Sequence, residues 1–333
     1  MKNKWQSLGD FARAVWGAGA KFGIDDRLSA AVSPSNESVG SDGGYAVPPE
    51  VREDVVRPIL GEDSLLARTD RQVVTKSALA VPADATPPWA GPTPAWQGEG
   101  VQLAEMKTIA AGDLLRLHKL SVLLPVTAEL YEDAVGLNAY LRRAIPVKFD
   151  FAIADAMLNG TGAGQILGLL AAGATITQTK EAGQGAATVV YKNVSAMWNR
   201  LYGPARATAV WALHPDAEQQ LQDVTTPSGE ALIKYWPDAL PTIFGRPAIV
   251  TEAAQPLGTR GDLVLFDPRA YLTATRQAEG VKDDVSLHVW FDRDLAALRF
   301  TMRLGGQPWL AAPWKRYRST ETVSTSVALE TRA

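Results

Sequence analysis

Between Pro82 and Gly100 the chain reads PADATPPWAGPTPAWQGEG, with five prolines from Pro82 to Pro94 and two tryptophans, Trp89 and Trp96. Proline at this density neither donates to a sheet ladder nor continues a helix, so the segment excludes both. Its flanks behave differently. Arg71 to Val81 reads as a strand, and Leu114 to Val126 (LLRLHKLSVLLPV) as another, with period two through Leu115 and Leu117 and then Leu120, Val122 and Leu124. The phase slips by one between Leu117 and Leu120, which predicts a bulge or bend. The whole is a long hairpin with an irregular tip. Loops this long are uncommon inside compact domains. Two large aromatics without a core of their own make exposed patches on a monomer. The hairpin is therefore expected to project and to lay Trp89 and Trp96 on a neighbouring subunit.

Pro125 to Leu170 is the second constraint. Thr127 suits an N-cap, and Glu129 and Glu132 sit near the positive end of the helix dipole. A short helix is expected through Ala134, stopped by Gly136. Asn138 is then expected to cap a longer helix whose apolar positions Leu141, Ile145, Phe149, Ala152, Ile153, Ala156 and Met157 form one stripe. Pro146 removes an intrahelical bond, at a cost of roughly 3 kcal/mol. The stripe stays in phase on both sides of it, which favours one kinked helix over two. Asn159-Gly160 tolerates the left-handed conformation that ends helices. The following Gly160-Thr161-Gly162-Ala163-Gly164 has the composition of a phosphate-binding loop. Such loops follow a strand and open a helix. This one closes a helix, so it reads as a helix stop.

At the N-terminus, Trp5, Leu8, Phe11, Ala12, Val15 and Trp16 share a helical face, weakened by Gly9. Residues 21–46 show no periodicity. Such an arm buries too little to order itself alone, and its apolar helix favours docking through Trp5 and Trp16 on another part of the molecule or another chain. Pro48-Pro49-Glu50 opens a further helix with Val51, Val55, Val56 and Ile59 on its apolar face, and Leu65-Leu66 leads into a strand. Beyond the central helix, Leu167–Leu170 and Thr188–Tyr191 read as strands, and Val194–Leu201 as a helix capped by Asn193. Thr208–Leu213 is a buried strand, and His214-Pro215-Asp216 turns into a helix through Leu221. Strands follow at Ala248–Thr251, after a Gly-Arg-Pro turn, and at Leu263–Phe266. Val285–Phe291 and Ala297–Leu304 read as a strand pair, and Thr320–Leu329 as the last strand. This alternation predicts an α+β lobe with a mixed sheet.

Catalytic chemistry is hard to place on this chain. It has no cysteine, which excludes disulfides, thiolate metal sites and cysteine nucleophiles. His118, His214 and His288 are far apart, and none has a second ligand at helical spacing. No Gly-x-Ser-x-Gly elbow, Walker loop or His-Glu-x-x-His occurs. Asp25-Asp26 and Asp283-Asp284 read as solvated turn residues. Lys315-Arg316-Tyr317-Arg318 is too short and isolated for a nucleic-acid groove binder, and the net charge of -3 gives no such footprint. No run of eighteen apolar residues spans a membrane, and no secretion signal is read. No catalytic residue, cofactor or metal ligand is expected. The arm, the hairpin and the long helix suit a protein that contacts copies of itself.

Taken in order, these features resemble the major capsid proteins of tailed phages, with the Hong Kong 97-type fold, from about Gly43 to Leu329. SDGGYAVPPEV resembles the segment that closes the family's N-terminal arm. LHKLSVLLPVTAELYEDA resembles the end of its extended loop, and Asn138 to Asn159 with GTGAGQILGLL its spine helix and Gly-rich exit. ALHPDAEQQLQD and the stretch from SGEALIKYWPDALPTIFGRPAIV to VLFDP resemble its axial domain. The resemblance implies an α+β fold with an N-terminal arm over 1–46, an arm-to-hairpin helix over 47–69 and an extended hairpin loop over 70–124. It implies a peripheral domain with the spine helix over 125–193, an axial domain over 194–310 and a C-terminal strand over 311–333 returning to the peripheral domain. It further implies a capsid protein that assembles through pentamers and hexamers into an icosahedral shell around double-stranded DNA, bound without sequence specificity. Assembly would take place in the host cytoplasm, with separate scaffolding, portal and decoration proteins as further partners and no membrane.

Some members carry a long scaffolding segment, whereas only about forty residues precede Val47-Pro48 here. Others weld the shell by a Lys–Asn isopeptide bond. Lys76 is placed for such a lysine, but no asparagine follows Asn199, so a non-covalent shell is expected. Two alternatives stand beside the virion shell: an encapsulin-like compartment shell, and an α+β enzyme holding a phosphate-bearing ligand at Gly160–Gly164.

Overall fold

The computed structural model describes residues 64–83, 86–90, 96, 111–127, 135–237, 239–276, 281–290 and 295–332. The phase slip in LLRLHKLSVLLPV is a strand break. A single-turn 3-10 helix, Leu66–Arg68, leads into β1 (Asp70–Val73). Strand β2 (Ala78–Ala83) then pairs antiparallel with β3 (Ala111–Arg116), so Pro82 and Ala83, expected in the irregular tip, end a strand instead, and after Leu117 the chain enters β4 (His118–Thr127). The strand expected over Arg71–Val81 is thus two strands, separated at Val74–Ser77. In β4 the alternation is physical: Leu120, Val122, Leu124 and Val126 pack on the core while Lys119, Ser121 and Leu123 are exposed.

Helix α1 (Val135–Asn159) is one 25-residue element running through Pro146. It starts before Gly136, so Gly136 is not a stop and Asn138 is not a cap. An internal glycine costs a helix only about 1 kcal/mol. The buried stripe of Ile145, Phe149, Ile153 and Met157 outweighs it. The short helix expected through Ala134 lies outside the described residues, as do the helices expected over Trp5–Ala20 and from Pro48. The exit of α1 folds back on itself. Leu169 and Leu170 N–H donate to the Met157 and Leu158 carbonyls at 2.8 and 2.9 Å, and Gly168 N–H to the Gly160 carbonyl at 2.8 Å. These bonds satisfy carbonyls that a helix end leaves unpaired. Leu167–Leu170 is therefore a turn, not a strand.

The strand of the next segment is β5 (Ile176–Gln178), and Thr188–Tyr191 instead leads into α2 (Tyr191–Arg200). Asn193 sits one turn inside that helix, where its Oδ1 accepts the Val190 N–H at 3.1 Å. β6 (Val210–Leu213) precedes α3 (Pro215–Asp223), which His214 caps by accepting the Asp216 N–H on Nδ1 at 3.2 Å. Then come β7 (Ile233–Trp236), β8 (Ala239–Ile243), β9 (Arg246–Val250), β10 (Leu263–Phe266) and β11 (Tyr271–Thr275). The turn between β8 and β9 falls at Phe244-Gly245, and Arg246 and Pro247 already belong to β9. The pair expected near 285–304 is present as β12 (Lys282–Trp290) against β13 (Leu295–Pro308). The last expected strand is two: β15 (Thr322–Val323), paired with β14 (Trp314–Lys315), and β16 (Ser326–Leu329).

Two sheets result. In the first, long β13 is the seam, antiparallel to β4, β12 and β11, with β1 parallel to β11. The second has seven strands in the order β5-β16-β10-β6-β9-β8-β7 and is mixed, as the alternation predicted. Its central strands β6, β10 and β16 are buried on both faces and correspondingly apolar. Val210, Ala212, Val264 and Phe266 face α1 and the β13 sheet in one core. Trp211, Leu213, Leu263 and Leu265 face the other way, with Val194, Met197 and Leu221 of α2 and α3. The C-terminal strand expected to return to the 125–193 segment lies between β5 of that segment and β10.

The chain end is anchored by charge. Arg332 and Asp262 form an ion pair with no exposed side-chain surface on either partner. The Arg332 N–H donates to the Gly258 carbonyl at 2.7 Å, and Asp262 Oδ2 accepts the Gly258 N–H at 2.9 Å. Among the described residues, no helix is long and apolar enough to cross a membrane.

Candidate assembly surfaces

Trp89 is seated in an aromatic socket built by Trp314 of β14 with Tyr202, just after α2, and Trp309, just after β13. Its indole lies 6.3 Å from Trp314 in a T-shaped contact and 6.3 Å from Tyr202. Trp314 in turn stacks edge-on against Tyr202 at 5.1 Å and Trp309 at 5.8 Å. The Trp89 Nε1–H donates to the Lys315 carbonyl at 3.0 Å. Such edge-to-face pairs are worth about 1 kcal/mol each beyond area burial. Trp89 is therefore half-buried against its own chain, not bare in a loop. Trp96 is different: it is fully exposed. Lys76, between β1 and β2, is exposed too. Trp5 and Trp16 lie outside the described residues.

Other apolar groups face solvent on regular elements. On α1, Val147 and Phe151 are exposed opposite the buried stripe. At the edge of the seven-stranded sheet, β7 presents Tyr235 and Trp236, both more than half exposed. Tyr235 is held by bonds to Glu218 and Gln222 at 2.8 and 2.9 Å, and Trp236 Nε1–H reaches Thr242 Oγ1 at 3.3 Å. Lys234, paired with Glu230 at 2.8 Å, puts a charge on this edge, which discourages open-ended strand pairing. No motif or spacing in the sequence singles out Tyr202, Trp309, Trp314, Tyr235 or Trp236 as surface contacts. The signal available was ten tryptophans in 333 residues, several at element ends.

The candidate chemical groups are dispersed. His118 begins β4, His214 caps α3, and His288 is in β12. His214 lies 3.4 Å from both Asp216 and Glu252, but among the described residues no group of three His, Asp or Glu side chains is placed to hold a metal ion. Asp283-Asp284 lies in β12, not in a turn. Burial pushes the Asp284 carboxyl up, but bonds from Arg299 at 2.8 Å and Lys282 at 3.1 Å outweigh it and hold it below the usual range. That pairing is what an acidic residue needs to sit in a sheet. Asp25-Asp26 lies outside the described residues. The Gly160–Gly164 loop follows the C-terminal end of α1, with Gly162 and Gly164 at φ of 79° and 72°. It presents no helix N-terminus to an anion, in line with a helix stop.

A model of the phage capsid family matches residues 43–318. Among solved structures, the capsid of an empty GTA particle aligns with a TM-score of 0.61 at 18% identity, covering 92% of this chain and 97% of that one. The structure titled Microbacterium phage Oxtober96 gives 0.55 at 13% identity, covering 92% and 97%. That titled Mycobacterium phage Bobi gives 0.54 at 16%, covering 92% and 99%. Among the curated proteins, no relative matches.

Proposed function

The chain belongs to the phage capsid family and is a capsid protein with the Hong Kong 97-type fold, and from that premise we propose that it assembles through pentamers and hexamers into an icosahedral shell enclosing double-stranded DNA. The observation that carries the reading is the family match over 43–318, most of the chain. Head-to-tail contacts that close give rings, so one chain type suffices for both ring sizes. In this reading 70–124 is the extended loop, α1 is the spine of a peripheral domain over 125–193, and 194–310 forms the axial domain. The edge aromatics Tyr235 and Trp236 belong to that axial segment. Trp96, Trp89, Lys76, Trp5 and Trp16 are the proposed inter-subunit contacts. DNA is held without sequence readout, in keeping with a net charge of -3. Scaffolding, portal and decoration proteins are separate chains, and assembly takes place in the host cytoplasm.

Negative-stain electron microscopy with size-exclusion chromatography of the purified chain tests this. Closed shells, or five- and six-membered rings, are the expected result. A chain that stays monomeric at every concentration overturns self-assembly and leaves a scaffold obligatory. Shells boiled in detergent should give one band at 35.7 kDa, since no asparagine follows Asn199 to accept a bond from Lys76. A ladder of covalent multimers overturns that expectation.

A further inference from the structure

The hairpin tip carries the same five-residue pattern twice. Pro87-Pro88-Trp89-Ala90-Gly91 and Pro94-Ala95-Trp96-Gln97-Gly98 both read Pro-x-Trp-x-Gly, seven positions apart. The first tryptophan is docked in its own chain and the second is fully exposed. Beside the docked one lies an open groove of about 1000 Å³. Trp89 and Pro87 form one wall, and the turn bearing Lys315, Tyr317 and Arg318 forms the other. This turn is shaped for display. Arg318 has a positive φ of 56° and holds its guanidinium 4.9 Å from the Tyr317 ring centroid, and Tyr317 is more than half exposed.

Resting on the shell reading above, we infer that this groove receives Trp96 and its flanking Pro-x-Trp-x-Gly from a second copy of the chain. Three observations select that occupant. The groove continues a socket that already holds the identical pattern, with a tryptophan among aromatic rings. Proline-rich segments dock in aromatic-lined grooves at low entropic cost, because their backbone is already extended. The charges also match. The turn bears Lys315, Arg316 and Arg318 against one acid, Glu321, while the chain from Trp96 to Lys107 carries Glu99 and Glu105 against one cation, Lys107. An indole against Tyr317 and Arg318 adds cation–π attraction to burial. Each subunit then offers Trp96 and the groove as the two halves of a head-to-tail contact that repeats around a ring.

The absence of native cysteine makes the test clean. Particles are assembled from a Gln97→Cys, Thr320→Cys double variant and treated with a short bismaleimide. A ladder of covalent multimers on a denaturing gel is expected. Particles made from a mixture of the two single variants should give dimers containing one chain of each kind. Trp96→Ala and Tyr317→Ala should each raise the concentration needed for half-assembly about tenfold, the range of an interface hot spot. Particles of normal morphology whose double variant yields only intrachain links, or none, overturn this inference alone. Absence of particles from the cysteine-free parent overturns the shell reading and this inference with it.

Discussion

Replacing Arg332 with methionine will cost the fold about 3–5 kcal/mol, the range for stripping one partner from a buried ion pair. Methionine matches the arginine side chain atom for atom from Cβ to Nε, so the packing of the stem is kept and the loss falls chiefly on the charged end. Asp262 is left with no exposed surface and no counter-ion, held only by backbone N–H groups such as that of Gly258. Its carboxyl is already raised above the ordinary 3.8: burial pushes it up, and the hydrogen bond and charge of Arg332 pull it only part of the way back. An acid whose folded pKa is raised favours folding below its unfolded value and loses that contribution as pH rises through the folded value. Without Arg332 the loss is larger, so the deficit of Arg332→Met against the parent must shrink as pH falls toward 4. Urea denaturation across pH measures this, read as the shift in midpoint at unchanged slope. The double variant Arg332→Met, Asp262→Asn removes the buried charge while keeping an acceptor for Gly258, and should recover at least half the loss. A deficit that is flat with pH, or a double variant no better than the single, would mean that packing and not charge anchors the chain end.

Gly168→Val will be as damaging, through space instead of charge. A Cβ on Gly168 falls against the Gly160 backbone nitrogen and within 2.8 Å of the Leu158 carbonyl oxygen and 2.9 Å of the Asn159 carbonyl carbon. All three are backbone atoms at the end of α1, fixed by the bonds that close the helix, so nothing flexible gives way. A loss of about 4 kcal/mol or more is expected, the mark of a few mechanisms that include forced overpacking. Gly164→Ala, four residues earlier, makes the contrast. Its Cβ meets nothing within 4 Å, and only the φ of 72° is strained. That costs about 1–2 kcal/mol. If the two variants denature at the same urea concentration, the closely crossed helix exit is wrong.

The extent of legibility follows from how local each cause is. The β4 alternation, the α1 stripe and the buried runs in β6 and β10 were readable because they are imposed by faces the strand or helix carries itself. The start of α1 was not, because the sequence weighs Gly136 alone while the fold weighs it against four buried apolar side chains. Asn193 looked like a cap and proved to sit one turn inside, accepting the Val190 N–H all the same. The seat of Trp89 was out of reach for a simpler reason: 226 positions separate it from Lys315, whose carbonyl it binds. Asp284 read as a turn residue because its partners, Lys282 beside it and Arg299 across the pair, become neighbours only once β12 and β13 are zipped.

The order of synthesis gives the late strands a separate meaning. β13 is the seam of one sheet and β16 lies between β5 and β10 in the other, yet both come from the last tenth or so of the 333 residues. β1 waits for β11 some two hundred positions later before it can pair at all. A nascent chain still missing its tail therefore holds two open sheets, and such long-range closure is slow. Until β13 and β16 dock, neither sheet is closed, and a partly folded chain carries open strand edges that can pair with another such chain.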